Sequence, residues 1–437
     1  MRARYRQLLD EAEARPDIYI RESHVKYMNE SRHLLAKYLN AKLSTIVLVP
    51  NATTGLNTVL RNLVYKARDT IICFSTTYGS MVKTLLSLAE TTPVSVTSIP
   101  LISPSALRTS HILSAVERTV LSQRASGLNP RALFLDAIVS EPGIRMPFEA
   151  LVALCRRLNI LSIVDGAHAI GHIPLDLTAL DADFFVTNCH KWLYVPRAAA
   201  VLCVPERNQH MIRTTLPTSA GFVPHLPPRK VIPPPAEAMS SSTTLTGDEE
   251  READNTLFVK LFEYVGTMNS QAYNCVGAAL DFRAQVCGGE EKVMQYCSNI
   301  AHRGAEAVAR ILGTGVLSDA EGSITKGMAM VNVRLPLDPD ALQKMASSSA
   351  HKDNMHATQD ADVNPPWAEH VRAWIGRQFI DGYNTSVPIL WWGGAFWTRL
   401  SGQIYLEIDD FWEIGRQMDV LCKRVMRGEH LSRVSMH

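Results

Sequence analysis

The sequence predicts an α/β protein, with a doubly wound, mostly parallel sheet in a large domain and a smaller α+β domain after it. Three observations carry this. Apolar runs of strand length at residues 70–74, 132–136, 160–164 and 184–187 alternate with helical segments, as in parallel sheets. At 437 residues the chain exceeds what one compact core serves and calls for two domains. From about residue 290 the rhythm changes to helix, strand, loop, strand, helix.

The elements follow in order. Residues 3–14 and 24–39 carry helical apolar spacing, with Leu8, Leu9, Tyr27, Leu34, Leu35 and Tyr38 as inward positions. We assign 1–40 as an N-terminal helical segment, 41–288 as the large domain and 289–437 as the small one. Residues 45–49 form a strand, and Asn51-Ala-Thr-Thr-Gly55 turns from it into a helix over 56–64. Asn51 is a good N-cap, and the free N–H groups of that turn suit a phosphate. An ordinary capped helix explains the segment equally well. A strand at 70–74 leads through Ser75-Thr-Thr-Tyr-Gly79 to a helix ending near Ala89. Residues 93–99 alternate as a more exposed strand does, 107–126 form an amphipathic helix, and 148–158 another. A short strand spans 198–204, and a long helix is expected over 272–286. Between them, 223–254 is rich in proline, serine and acidic residues and reads as a mobile surface insertion. A second polar loop spans 347–362.

Composition narrows the function. A net charge of +1 gives no electrostatic footprint for nucleic acid or an anionic membrane. No apolar run approaches the ~20 residues that span a bilayer, and the charged start lacks a secretion signal's apolar region. Eight cysteines without a CxxC pair read as reduced thiols of a cytoplasmic protein, with no metal site.

The chemistry concentrates in 133–196. Asp165 and His168 follow the strand at 160–164; His190 and Lys191 follow the one at 184–187. Groups at the carboxyl ends of adjacent strands converge on one crevice. There an aldehyde cofactor can be held by the lysine as a Schiff base. A pyridoxal phosphate site needs that lysine, a carboxylate to keep the ring nitrogen protonated, a flat cover for the ring and donors for the phosphate. Singly, Lys191 reads as a surface charge, Asp165-Gly as a turn and the histidines as structural. Their occurrence together, in order and on successive strands, favours the site.

Asp165-Gly-Ala-His168 followed by Thr187-Asn-Cys-His-Lys191-Trp192 resembles the class V aminotransferase family of fold type I pyridoxal 5'-phosphate enzymes. Its isopenicillin N epimerase-like branch, with fungal ergothioneine C–S lyases and a loline-pathway ring-forming enzyme, is the most similar part. The resemblance covers the chain from about residue 20 onward, outside the two polar loops. It implies Lys191 as Schiff-base lysine and proton shuttle, Asp165 on the pyridine nitrogen, and His168 near the imine and the phenolic oxygen. It places Ser140 near that oxygen, and Ala52, Thr53 and His190 at the phosphate. Gly266 and Thr267 would reach the phosphate of a neighbouring subunit, which implies a homodimer with shared sites. Tyr78 would be an active-site aromatic and acid at the leaving group. Arg399, on a strand otherwise apolar, would grip the substrate carboxylate, a bidentate task suited to guanidinium.

The sequence departs from the family at four points. The asparagine-histidine-glycine segment that opens the family is absent, Ala220 replaces a histidine, and Asn269 and Leu406 replace an aspartate and an asparagine. Residues 383–398 hold no cysteine, which argues against a desulfurase with the usual persulfide-forming thiol. The implied activity is C–S elimination from a cysteine-type conjugate, a small-molecule amino acid, in fungal secondary metabolism. The alternatives are α-carbon epimerisation, ring formation or replacement, and a non-catalytic paralogue serving as a binding subunit.

Overall fold

The computed structural model describes residues 1–222, 253–254, 256–319, 322–348 and 365–431. The insertion expected at 223–254 and the loop at 347–362 therefore lie almost wholly outside the described residues. The chain divides into two compact units: Met1–Ile99, Val116–Ile138 and Pro147–Glu290 in one, Pro100–Ala115, Val139–Met146 and Glu291–His437 in the other.

The first unit is built on a seven-stranded sheet. Its strands are β1 (Ile46–Val49), β2 (Asp69–Phe74), β3 (Ser95–Ile99), β4 (Asn129–Asp136), β5 (Leu161–Asp165), β6 (Phe184–Asn188) and β7 (Ala200–Cys203). They lie in the order β1-β7-β6-β5-β4-β2-β3. Pairings from β3 through β6 are parallel, and β7 pairs antiparallel with both β6 and β1. Central parallel strands are covered on both faces, so β2, β5 and β6 are almost wholly buried without alternation. The edge strand β3 keeps the exposed alternation its sequence shows.

Helices α1 (Arg2–Ala14), α2 (His24–Tyr38), α3 (Ala52–Asn62), α4 (Gly79–Thr91), α5 (Thr109–Ala125), α6 (Phe148–Arg157), α7 (Leu257–Glu263) and α8 (Val276–Asp281) complete the layers. Helix α3 begins four residues earlier than its apolar pattern suggests, because Asn51 caps it by accepting from Thr54 N–H. On α2 the inward face is Met28, Arg32, Leu35 and Ala36, whereas Leu34, expected inside, points outward. Arg32 explains the rotation: its fully buried guanidinium donates to the carbonyls of Ile46 (2.7 Å) and Leu43 (3.0 Å), fastening the helix at the start of β1. The long helix expected over 272–286 is broken. A 3-10 turn at Tyr273–Cys275 precedes α8, and a π turn at Phe282–Val286 follows it. The wider turn carries Arg283, which is buried completely.

The second unit holds β8 (Met330–Arg334), β9 (Ile389–Trp392) and β10 (Ala395–Ser401) in an antiparallel sheet with β10 central. Helices α9 (Glu290–Leu312), α10 (Pro339–Ser348), α11 (Pro366–Tyr383) and α12 (Ile408–Met426) accompany it. Gly402 lies so close to the Cys297 carbonyl that no side chain fits there. Among the described residues no helix is long and apolar enough to cross a membrane.

All eight cysteines are free, and seven are buried. Burial pushes the Cys73, Cys203 and Cys275 thiols up to about 11 and those of Cys155, Cys189 and Cys422 up to about 12.

Phe134, wholly buried in β4, fills the core on which the site's strands rest. Phe134→Ala is expected to lower the unfolding free energy by about 3–5 kcal/mol, read from urea denaturation.

Candidate active site

Strands β5 and β6 pair in parallel with Asp165 opposite Val186, so the loops leaving them emerge side by side. Two devices hold the loop after β5 down. Thr187 Oγ1 donates to the Gly166 carbonyl at 2.6 Å and accepts from Ile170 N–H at 3.1 Å. Gly166 must be glycine, since a Cβ would stand 2.5 Å from the Phe185 ring. Gly171 has φ +75°, and a Cβ there would lie 2.6 Å from the Trp192 carbonyl. The loop that carries His168 thus touches the loop that carries Lys191.

Within this junction His168 Nε2 lies 2.8 Å from Lys191 Nζ. Trp192 Nε1 donates to His168 Nδ1 at 3.3 Å. His172 stacks on the Trp192 indole with ring centroids 4.1 Å apart, and its Nδ1 bonds the His168 carbonyl at 3.0 Å. Arg283 donates to the Trp192 carbonyl (2.8 Å) and the Gly171 carbonyl (3.1 Å), so one guanidinium ties both loops.

Asp165 is buried, and its Oδ1 accepts from Ala167 N–H at 2.9 Å. Burial raises its pKa, opposed by that N–H and by Lys191. A second carboxyl stands beside it. Asp136, at the end of β4, is the register partner of Asp165. Its Oδ2 is buried without a partner, and desolvation, then the Asp165 charge, hold its pKa well above the usual carboxylate range. Sequence reading missed Asp136, although LFLD ends a strand as LSIVD does.

Around this floor, Asn188 Oδ1 accepts from Ala52 N–H at 2.8 Å, so that amide is already engaged. Thr53 N–H precedes the first intrahelical bond, donated by Gly55 to Asn51, and among the described residues it has no acceptor at the α3 N-terminus. His190, half-buried, donates from Nδ1 to the Ala199 carbonyl at 2.9 Å, and burial lowers its pKa. Tyr78 immediately precedes α4 and is 48% exposed, so it is no core aromatic. Gly266 (φ +91°) and Thr267 line a separate cleft of about 790 Å³ with Pro50, Thr54, Tyr19 and Gln271. Asp165, His168 and Lys191 are not among its walls.

Arg399 and Ser140 belong to the second unit. Arg399 Nη1 donates to the Ser140 carbonyl (2.6 Å) and hydroxyl (3.0 Å), while its Nε is buried without a partner. Burial lowers the guanidinium's pKa, opposed by Glu141. A charge so placed retains capacity for an anion. Among the described residues no cluster suits a metal ion.

The donor set fits pyridoxal 5'-phosphate: a buried carboxylate for a protonated ring nitrogen, a lysine amine, and an open helix N-terminus for a phosphate. Sheet order and site chemistry alike define a pyridoxal phosphate-dependent α/β enzyme. The aminotransferase class-V family matches residues 14–222, and the chain belongs to that family. It is 37% identical to the L-cysteine desulfhydrase-like protein lolT1 of Epichloe uncinata, over 95% of this chain and 88% of that one. It is 32% identical to hercynylcysteine sulfoxide lyase of Schizosaccharomyces pombe, over 95% and 89% respectively. The solved structure of the cystine C–S lyase C-DES with cysteine persulfide shares the fold at TM-score 0.64, covering 95% of this chain and 93% of that one, with 18% identity.

Because folding favours the protonated form of Asp136, its stabilising contribution is complete below the ordinary carboxylate pKa near 4. It is lost as pH rises through the higher folded value. Asp136→Asn is expected to flatten the fall in unfolding free energy from pH 4 to 8, leaving the smaller fall due to Asp165.

Proposed function

We propose that the protein is a pyridoxal phosphate-dependent lyase that cleaves a C–S bond in a cysteine-type conjugate. The contact of Lys191 Nζ with His168, beside buried Asp165, carries the reading. When bound, pyridoxal phosphate supplies an electron sink for the carbanion at the substrate's α-carbon. Asp165 holds the ring nitrogen protonated, with its carboxylate kept in place by Ala167 N–H. Lys191 would hold the cofactor through its aldehyde carbon and would carry the α-proton. Thr53 and His190 would receive the phosphate, Ala52 would hold the turn through its N–H bond to Asn188, and His168 would serve the phenolic edge. Arg399 grips the substrate carboxylate and presents Ser140; Tyr78, exposed at the start of α4, protonates the leaving group.

The large domain, 41–288, carries the cofactor, and the small domain, 289–437, supplies Arg399; residues 1–40 form the N-terminal segment. Two chains associate, with Gly266 and Thr267 serving the partner's phosphate. They line a cleft with Pro50 and Thr54, which flank the Ala52-Thr53 turn. The eight free cysteines favour a cytoplasmic setting.

The purified protein should be yellow, and borohydride should attach the cofactor to Lys191, located by peptide mapping. Incubation with cysteine conjugates should release pyruvate. Lys191→Ala should lower that release at least ~10²–10⁴-fold. Colourless protein that takes up no cofactor, or α-deuterium exchange without pyruvate, would overturn the lyase reading. Arg399→Lys should raise KM about 10- to 100-fold, a loss of ~1.5–3 kcal/mol, while the visible band persists.

A further inference from the structure

We propose that Trp192 is a positioning residue that fixes the tautomer of His168 and thereby holds Lys191 as an uncharged amine that accepts from the imidazole. The proposal deepens the function above, but its central claim concerns only protein atoms.

An indole N–H can only donate. Trp192 Nε1 points it at His168 Nδ1, 3.3 Å away, so Nδ1 must offer a lone pair. A neutral imidazole carries one proton, which then sits on Nε2. Nε2 faces Lys191 Nζ at 2.8 Å. With the ring proton between them, Nζ must accept, and only the uncharged amine has a lone pair to accept with. The opposite arrangement, an ammonium donating to Nε2, needs the proton on Nδ1. There it would meet the Trp192 N–H head-on. A doubly protonated ring fails for the same reason.

The indole cannot swing away to relieve such a conflict. It is 4% exposed and stacks on His172, and its backbone carbonyl accepts from Arg283. His172 in turn bonds the His168 carbonyl, so the ring that stacks on the indole also steadies the histidine's backbone. Both neighbours of the hydrogen bond are fixed on each side.

Two consequences follow for the reaction. Lys191 would meet an incoming aldehyde as the uncharged amine, its lone pair released once the bond from His168 Nε2–H is given up. His168, with its proton on the edge facing Lys191, acts there as a donor, and the α-proton is left to Lys191.

The test uses full-length protein labelled with 15N-histidine, with cofactor and after its removal by hydroxylamine dialysis. Two-bond 1H–15N spectra distinguish the tautomers, and loss of a signal set in His168→Gln assigns His168. We expect Nε2–H with unprotonated Nδ1 in both forms of the wild type. Trp192→Phe keeps an aromatic face for His172 and removes the donor; its His168 should shift to Nδ1–H or a mixture. Recapture of added pyridoxal phosphate by the depleted variant should slow about 2- to 10-fold, the ~0.5–1.5 kcal/mol of one hydrogen bond. Nδ1–H in the wild type overturns the proposal, and decides it even if the variant fails to fold. An unchanged tautomer in Trp192→Phe also overturns it. A changed tautomer with unchanged recapture overturns the link to Lys191. None of these outcomes depends on which substrate is cleaved.

Discussion

The buried guanidinium of Arg283 is the interaction on which the site's construction depends. It satisfies the Trp192 and Gly171 carbonyls on one side and forms two 2.6 Å bonds to Glu290 on the other. The Tyr194 ring lies 4.9 Å from its centre, and Tyr38 donates to Glu290 at 2.6 Å. A charge removed from water this completely is tolerable only when each guanidinium nitrogen is engaged and a counter-ion is present. The chain meets that demand with groups from α2, the start of α9 and both loops of the site. Four separate stretches are therefore obliged to converge. The π turn after α8 is what aims the guanidinium inward.

Much of this was legible in the sequence, and the reason is locality. LSIVDGAH and FFVTNCHK each end an apolar run on polar residues, so strand, boundary and exposed chemistry fall within eight positions. Arg399 was legible for a related reason: a charge within FWTRLSG stands out against a buried strand. Arg283 gave no such signal. It sits in FRAQV, which reads as helix surface, and the two carbonyls it ties together lie 91 and 112 residues away. The π turn carries it inward to those carbonyls and to Glu290. Asp136 failed differently. Its local pattern matches that of Asp165, but its importance arises from strand order, which makes β4 and β5 neighbours in register. Leu34 shows the same limit, since the face a helix buries was set by Arg32 and not by the apolar count.

The two buried carboxyls and Arg399 occupy opposite electrostatic situations. Asp136 and Asp165 face each other at strand ends with one lysine nearby, so their shared pocket carries at most one comfortable negative charge. Arg399 is a cation hydrogen-bonded to a carbonyl and a hydroxyl and acted on by the Glu141 charge. The first arrangement suits a cationic ring nitrogen; the second suits a carboxylate.

The burial of the cysteines has a consequence for an enzyme that sets sulfur free. Released thiols and persulfides exchange with protein sulfur only through an accessible thiolate. Cys189 stands two residues from Lys191, nearer in sequence to the chemistry than any other thiol, yet burial pushes it up to about 12. Its sulfur is thereby withheld from the product made next to it. Burial makes Cys189 a poor partner for thiol exchange with a sulfur product formed at Lys191.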